Sequence, residues 1–250
     1  SDDFAGGGLD PVWTVVGPSG TSSSLGTNAT DGYLSLLTPD GNHDIWGTNN
    51  SVRAMQAAAD DDFEIETRFL TTPSAKYQMQ GLLIEEDAQN WLRFDTYSDG
   101  KKLYAFAAIT VDGVSSQALR VAIPGGTAPY LRVERIGDNW QFDYSLDGNT
   151  WTSAGSFTHA LEVSAAGVFA GNTGPATGFT AQVDYVEFGS DPLLDEDGTI
   201  LPVNTAPEAS DDSLTTDSGA ALLFTSADLL ANDSDADGDA LNLVSVTQPG

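Results

Sequence analysis

The sequence lacks cysteine, has few basic residues and contains no long apolar run. Without cysteine there is no disulfide framework, no thiolate nucleophile and no cysteine-based zinc site. No apolar segment approaches the ~18 residues that a membrane span needs, so we expect no membrane insertion. Nine lysines and arginines stand against 37 aspartates and glutamates, a formal charge of −28. Because such a polyanion is repelled by other polyanions, we expect no nucleic acid partner.

The residues that are abundant favour turns and strands. Aspartate (28 residues) far outnumbers glutamate (nine), and there are 26 glycines. Aspartate prefers caps and turns to helix interiors. Apolar and polar residues alternate over 63–69 and 140–146, and Asp147-Gly148-Asn149 is a hairpin signal. Further strands are predicted over 33–37, 77–85, 91–97, 103–111, 130–136, 165–170 and 179–188, with one helical turn between Val52 and Asp60.

This pattern predicts an all-β chain of about ten to fourteen strands folded as a two-sheet antiparallel sandwich. The composition changes near Pro192, since the segment from Leu193 to Gly250 has twelve acidic residues and no basic one. The stretch from Asp195 to Pro207 is charged and has little periodicity, which is typical of a linker. We therefore predict a domain over 1–190, an acidic linker over 191–205 and an incomplete module over 206–250.

Five sequence runs of the first domain, taken together, resemble a known family of domains. They are DDFAGGGLDPVWTVV from Asp2, NHDIWGTNNSVRAMQ from Asn42, YQMQGLLIEEDAQNWLRFDTYSDG from Tyr77, WQFDYSLDGNTWTSAGSFTHAL from Trp140 and FAGNTG from Phe169. Their order and spacing resemble the concanavalin-A-like lectin/glucanase superfamily. More narrowly, they are similar to the bacterial group related to the β-sandwich at the end of β-xylosidases. The resemblance implies a jelly roll whose concave sheet can hold a glycan.

The strand over 91–97 carries the strongest candidate ligands. Side chains alternate along a strand, so Trp91, Arg93, Asp95 and Tyr97 share one face. Aromatic rings stack on the C–H face of a pyranose, while Arg and Asp bind its hydroxyl groups. Gln78 and Gln80, one strand earlier, share a side and are expected to extend this floor. The alternative is a solvated sheet face with an Arg–Asp ion pair.

A polar loop is expected to form the rim of the same site. Its candidate residues are His43, Asp44, Trp46, Asn49 and Arg53. Trp46 either plugs the edge of the sandwich, which is the favoured interpretation, or presents a binding platform. Asn172, in a glycine-rich bend, lies within possible reach of the same mouth, although simple turn chemistry also explains an asparagine there.

The sequence does not favour catalysis. Glucanases of the superfamily carry three carboxylates at alternate positions of one strand, which places them on one face. Here Glu64 and Glu66 are followed by Arg68, where the third carboxylate is needed. The two histidines, His43 and His159, lie in no triad motif. We predict that the domain is not an enzyme.

The acidic run from Asn232 to Asp239 is a calcium candidate, because alternating carboxylates before a glycine turn supply several hard oxygens. The run resembles the cadherin-like tandem repeats of large bacterial adhesins, and Asn204 to Pro207 resembles the opening of that repeat. The resemblance implies Ca²⁺ between adjacent repeats of one chain; the alternative is a solvated acidic turn. The candidate ligands are Asp211, Asp212, Asp233, Asp235, Asp237 and Asp239.

Together these features predict a non-catalytic, lectin-like carbohydrate-binding domain of an extracellular, secreted or cell-surface bacterial adhesin. Its expected partners are glycans or polysaccharides on a host or neighbouring cell. Two alternatives stay open: an accessory sugar-binding module of an extracellular glycoside hydrolase, and a structural spacer.

Overall fold

The computed structural model describes residues 1–28, 31–127, 129–193, 208–213, 215–217, 219–221, 224–234, 241 and 243. The chain divides into two compact units, Ser1–Ile200 and Leu201–Gly250. The described part of the second unit contains one short helix, α1, at Ser226–Leu229, whose capping box joins Thr225 and Asp228. No helix in the described ranges has the length and apolar character to cross a membrane.

The first unit is built from strands joined by short turns. Its described residues form fifteen strands: β1 Thr14–Val16, β2 Ser22–Asn28, β3 Asp31–Thr38, β4 Gly41–His43, β5 Val52–Ala57, β6 Phe63–Phe69, β7 Gln78–Glu85, β8 Trp91–Ser98, β9 Leu103–Val111, β10 Val114–Ala122, β11 Tyr130–Ile136, β12 Asn139–Ser145, β13 Trp151–Thr158, β14 Ala165–Ala176 and β15 Phe179–Phe188.

The strands form two antiparallel sheets. The eight-stranded sheet runs β1-β5-β14-β7-β8-β9-β10, with β4 also paired to β14. The seven-stranded sheet runs β13-β12-β11-β6-β15-β3-β2. The predicted all-β antiparallel sandwich is therefore confirmed. Most neighbours in a sheet are distant in sequence, so the fold depends on the packing of the two sheets against each other.

The main core lies between the sheets. On β8 the alternation turns Leu92 and Phe94 inward, and both are fully buried. The Phe94 ring contacts Phe142 at 5.5 Å and stacks on Phe157 at 5.8 Å between centroids. Such aromatic pairs contribute about 0.5–1.5 kcal/mol beyond the area they bury. This cluster fixes β8 and therefore the side chains on its opposite face.

A second apolar cluster covers the outer face of the eight-stranded sheet. It comprises the buried side chains of Ile45, Met55, Met79, Leu83, Trp91 and Phe169. Ile45 belongs to the loop after β4, which folds over this face. Because both faces are covered there, β7 is buried at seven consecutive positions and shows no alternation of buried and exposed residues.

Some local predictions were wrong or incomplete, since β1, β2 and β4 were not predicted and the fifteen described strands exceed the expected number of about ten to fourteen. Val52 to Ala57 is strand β5 instead of a helical turn, because β1 and β14 pair with it from both sides. Strand β10 was not predicted, since Val114–Ala122 mixes serines with apolar residues and carries a bulge between Gln117 and Leu119. Tertiary pairing decides the structure of both segments against weak local preferences.

Candidate functional site

Strand β8 places the strongest candidates together on the outer face of the eight-stranded sheet. Trp91, Arg93, Asp95 and Tyr97 alternate with the core residues of the same strand, as predicted from the period of two. Asp95 lies opposite Gly81 on β7 and opposite Phe106 on β9. Trp91, Arg93 and Asp95 are buried rather than spread over an open floor.

Above Arg93 the surface opens into a pocket of about 270 Å³. Its walls combine four aromatic side chains and one thioether with four polar or charged groups. The lining residues are Trp46, Tyr77, Tyr97, Phe106 and Met79, together with Asp44, Arg93, Gln117 and Thr173. An apolar wall with a few convergent polar groups is the usual composition of a small-ligand site.

The charges under the pocket are coupled. Arg93 Nε lies 3.1 Å from Asp95 Oδ1, and Arg93 Nη1 lies 3.8 Å from Asp44 Oδ1. Neither Asp95 oxygen accepts an aligned hydrogen bond from the described residues, so the two groups interact as an ion pair when Asp95 is ionised. Burial raises the pKa of Asp95 to about 7; Arg93 opposes this shift and Asp44 adds to it. The centroid of the Phe106 ring lies 4.7 Å from the guanidinium carbon of Arg93, which is a cation–π contact.

Ile45, rather than Trp46, plugs the edge of the sandwich. Ile45 is fully buried, whereas Trp46 is 46% exposed. The Trp46 ring lies 6.0 Å from the Arg93 guanidinium carbon and 6.4 Å from the Phe106 ring. Gly47 follows with φ +75°, and its N–H donates to Ser115 Oγ at 2.8 Å. The favoured interpretation of Trp46 as a plug is wrong, because this turn presents the ring at the pocket.

Tyr77 is a second exposed aromatic residue at the pocket, with 40% of its surface accessible. Its φ of +66° is in the left-handed region, which costs a bulky side chain on the order of 1–3 kcal/mol. The Tyr77 N–H donates to the Ser98 carbonyl at 2.6 Å, which holds this conformation. Backbone strain of this kind is concentrated at functional sites.

Asn49 and Arg53 support the loop instead of lining the pocket. Arg53 Nε lies 3.1 Å from Glu85 Oε1, and Asn49 Nδ2 donates to the same oxygen at 3.2 Å. Burial raises the pKa of Glu85, against the influence of Arg53 and Asn49. This group ties the far end of the loop to β5 and β7.

Gln78 and Gln80 do not extend the floor, contrary to expectation. The register pairs Met79 with Tyr97, so the two glutamines lie on the opposite, core-facing side of β7. Gln80 Nε2 donates to the Thr71 carbonyl at 2.6 Å. Gln78 Oε1 accepts from the N–H of Ser74 at 3.1 Å. Both satisfy backbone groups at the edge of the core.

His43 and Asn172 bind each other, with 3.0 Å between His43 Nδ1 and Asn172 Oδ1. Asn172 is fully buried, and its Nδ2 donates to the carbonyls of Pro39 at 2.8 Å and Thr177 at 3.1 Å. The pair fastens β4 to β14 beside Thr173, which lines the pocket.

Several lining residues were not identified from the sequence. Phe106 lies in the largely apolar strand β9, where no alternation marks the outer face. Met79 lies between Gln78 and Gln80, and the polar pair was assigned to the outer face in its place. Gln117 adjoins the bulge of β10, and Tyr77 depends on an unusual backbone angle. The odd spacing between Phe106 and the core residue Leu103 was the available signal, because it places the two side chains on opposite faces of β9.

The carboxylates compared with glucanases lie on the other sheet. Glu66 on β6 accepts from Tyr185 Oη at 2.5 Å, and burial raises the pKa of Glu66. Glu64 Oε2 lies 3.7 Å from Arg132 Nε. Both belong to the seven-stranded sheet, so neither lines the pocket.

Three of the calcium candidates lie in the described residues: Asp211, Asp212 and Asp233. A bridge between Glu208 and Ser234 brings their two segments together, and the Ser210 N–H donates to Asp233 Oδ1 at 2.8 Å. Asp235, Asp237 and Asp239 lie outside the described residues. In the described ranges no three acidic or histidine side chains converge as a metal site.

We predict that Gly81→Ala destabilises the fold by about 2–3 kcal/mol, as overpacking typically does. An added methyl group would collide with the Phe94 carbonyl oxygen and would lie 2.6 Å from Asp95 Cβ. Urea unfolding measures the change. The matched control is Gly7→Ala, since nothing lies within 4 Å of a methyl group at that position. Equal stability of the two variants would contradict the close packing under Asp95.

Comparisons with solved structures give the same fold. A GH43 protein of Bacillus licheniformis, BlXynB, is 21% identical with a TM-score of 0.60, covering 75% of this chain and 38% of that protein. A xylan β-1,4-xylosidase from Bacillus halodurans is 17% identical with a TM-score of 0.57 and the same coverage. A functionally unknown protein of Saccharomyces cerevisiae is 18% identical with a TM-score of 0.56, covering 73% of this chain and 97% of that one. The present chain thus corresponds to about two fifths of the length of the two bacterial proteins.

Family models match both units of the chain. Residues 203–250 match a cadherin-like domain. No curated protein is significantly similar in sequence. Residues 1–188 match the β-xylosidase C-terminal concanavalin A-like domain, GH43_C2. Since this match covers most of the 250 residues, the chain belongs to the family of β-xylosidase C-terminal concanavalin A-like domains.

Proposed function

We propose that the first unit is a non-catalytic carbohydrate-binding module that holds a sugar unit in the Arg93 pocket. One observation carries this proposal: two large exposed aromatic side chains, Trp46 and Tyr77, flank a buried guanidinium. Exposed aromatic rings are free to stack against the C–H face of a pyranose. The fixed guanidinium can donate hydrogen bonds to the hydroxyl groups of the same sugar. The family membership supports the same role.

The pocket favours a small, partly polar ligand. Its volume of about 270 Å³ lies just below the usual range for small-molecule sites, which suits one sugar ring of a longer chain. Asp44, Gln117 and Thr173 offer acceptors and donors at the rim. Arg93 is buried between Asp95 and the Phe106 ring, so the donor geometry is set before the ligand arrives.

The arrangement of carboxylates supports binding rather than hydrolysis. Glycosidases place two carboxyl groups on either side of the scissile bond. Asp44 lines the pocket, but Asp95 is fully buried and does not line it. Among the described residues, a ligand in the pocket therefore meets the carboxylate of Asp44, which lies beside Arg93.

Two biological settings are compatible with such a module. The family match and the bacterial GH43 structures favour an accessory module of an extracellular glycoside hydrolase. The cadherin-like match at 203–250 supports the adhesin setting. We favour the accessory module, because it rests on the larger match.

Isothermal titration calorimetry of the full chain with neutral and acidic oligosaccharides tests the proposal. We expect saturable heat with at least one of them and no released reducing sugar during a long incubation. Absence of heat with every saccharide, from a protein that is folded by circular dichroism, would overturn the binding role. Release of reducing sugar would overturn its non-catalytic character.

We also propose that Ca²⁺ binds the second unit. The cadherin-like match and the bridge between Glu208 and Ser234 support this proposal, because the bridge brings Asp211 and Asp233 into adjacent segments. Carboxylate and carbonyl oxygens are the ligands that Ca²⁺ prefers.

Calorimetric titration of the EDTA-treated full chain with CaCl₂ is expected to give saturable heat. Asp233→Asn should weaken the binding about tenfold or more, since one ligand charge is lost. Asp217→Asn, in the same acidic unit but outside the candidate set, serves as the matched control. Unchanged binding in Asp233→Asn, or no heat at all, would contradict the site.

A further inference from the structure

The basic residues are distributed unevenly around the molecule. Five arginines lie within 4.0 Å of a carboxylate. They are Arg53, Arg68, Arg93, Arg132 and Arg135. The other four basic residues are exposed and form no ion pair with any carboxylate of the described residues. These four, which we call the cationic rim, are Lys76, Lys101, Lys102 and Arg120.

Three members of the cationic rim meet at the turn between β8 and β9. Lys101 and Lys102 lie in this turn, and Lys76 packs against its Gly100, where an added methyl group would be 3.3 Å from Lys76 Cβ. Lys76 Nζ also lies 4.6 Å from the centroid of the Tyr77 ring. Since Tyr77 lines the pocket, this end of the rim adjoins it.

Arg120 joins the rim to the pocket from the other side. Its guanidinium carbon lies 3.7 Å from the centroid of the Tyr104 ring, and its Nε donates to Tyr97 Oη at 2.6 Å. The Tyr97 and Tyr104 rings stack at 5.3 Å between centroids. Because Tyr97 also lines the pocket, one aromatic surface runs from the pocket to the exposed guanidinium.

Asp99 is the acidic neighbour of the rim. Its carboxylate accepts from the N–H groups of Lys101 and Lys102 at 2.8 Å each, and from Tyr104 Oη at 3.1 Å. Asp99 is therefore occupied by turn and tyrosine donors, which together with the charge of Arg120 hold the pKa of Asp99 below its usual value. Asp99 forms no ion pair within 4.0 Å with any of the four described residues of the cationic rim.

Four neighbouring cations without an ion pair are unexpected on a chain with 37 acidic and nine basic residues. An excess of carboxylates offers each cation an ion-pair partner, yet these four have no carboxylate within 4.0 Å in the described residues. At 0.15 M ionic strength the screening length is about 8 Å, so a ligand at the rim responds to nearby charges more than to the net charge of the molecule.

We propose that the pocket and the cationic rim together bind an anionic saccharide. One sugar ring stacks in the pocket, and an acidic group of the same or the next unit, a uronic acid carboxylate or a sulfate ester, contacts the rim. This inference deepens the proposed function and rests on it, because it assigns the ligand class of the same pocket.

Titration calorimetry of the full chain at one fixed ionic strength tests the inference with three probes. They are trigalacturonate, a sulfated galactan tetrasaccharide and neutral xylotriose. We expect at least one acidic probe to bind about tenfold or more tightly than xylotriose. Preference for trigalacturonate identifies the acidic group as a carboxylate, and preference for the sulfated probe identifies it as a sulfate.

The double variant Lys101→Gln/Lys102→Gln should weaken binding of the acidic probe about tenfold, since two exposed charge contacts contribute up to about that factor. Binding of xylotriose should not change. Arg132→Gln, which removes one cation from the seven-stranded sheet, is the matched control and should leave both affinities unaltered.

Three outcomes would overturn the inference. Equal binding of neutral and acidic probes, unchanged in the double variant, would reject the anionic ligand and leave the carbohydrate-binding role standing. Equally tight binding of inorganic polyphosphate, unaffected by Trp46→Ala, would show a general polyanion surface. No binding of any saccharide would reject both the inference and the proposed function.

Discussion

The Trp46→Ala variant is expected to bind saccharide about tenfold more weakly than the unmodified chain, with no loss of stability. The Trp46 ring is 46% exposed and forms one wall of the pocket beside Arg93. An aromatic stack contributes about 0.5–1.5 kcal/mol, and 1.4 kcal/mol corresponds to a factor of ten in affinity. The loop does not depend on this ring, because the buried Ile45 and the hydrogen bond from Gly47 to Ser115 hold it.

Titration calorimetry measures the affinity, and thermal unfolding measures the stability. Trp151→Ala is the matched control. Trp151 belongs to the seven-stranded sheet, where its ring lies 4.1 Å from the guanidinium carbon of Arg132, so its removal should not alter binding. If the two variants bind saccharide equally well, the pocket is not the binding site.

The Asp95→Asn variant is expected to lose a pH dependence of stability that the unmodified chain shows between about pH 4 and pH 7. Burial raises the pKa of Asp95 from 3.8 to about 7 in the folded state. Within this window the folded chain holds a proton that the unfolded chain has released, so Asp95 makes folding less favourable as the pH rises.

The size of this effect follows from the two pKa values. Each pH unit between them changes the free energy of unfolding by about 1.4 kcal/mol, so the total is on the order of 4 kcal/mol. The quantity to compare is the stability of the unmodified chain minus that of Asp95→Asn. This difference should decrease from pH 4 to pH 7 and then become constant.

Urea unfolding at several pH values provides this difference. Asp87→Asn is the control, and its effect on the pH dependence of stability should have the opposite sign. Hydrogen bonds from the N–H of Gln89 and from the side chain and N–H of Asn90 hold the pKa of the exposed Asp87 below its usual value. The stabilisation from Asp87 is present above its usual pKa and is lost as the pH falls through its lowered value. A pH-independent difference for Asp95→Asn would contradict a buried, proton-holding carboxyl under Arg93.

The part of the site that lies on one strand was predictable from the sequence. Strand period alone puts Arg93, Asp95 and Tyr97 on one face, and the structure places them so. The polar loop was also expected to form the rim, and Asp44 lines the pocket. Trp46 of the same loop lines it too, although the favoured interpretation of the sequence made it a plug. These inferences needed only local geometry.

The parts that depend on pairing between strands were not predictable. Gln78 and Gln80 share a side, but the register with β8 decides which side, and it places them toward the core. Phe106 faces the pocket from a strand whose residues are apolar on both faces. Trp46 and Ile45 are adjacent, and only the folded loop shows which of them is buried.

The most direct test of the carbohydrate-binding pocket is the indole N–H region of the NMR spectrum during titration with the saccharide that binds most tightly. The chain has five tryptophans, Trp13, Trp46, Trp91, Trp140 and Trp151, and each can be assigned by substitution. The pocket predicts that the Trp46 resonance shifts with a saturable dependence on ligand, while those of Trp140, in the core, and Trp151, on the other sheet, do not move. A saturable shift of Trp151 with an unmoved Trp46 would place the ligand on the seven-stranded sheet and contradict the account.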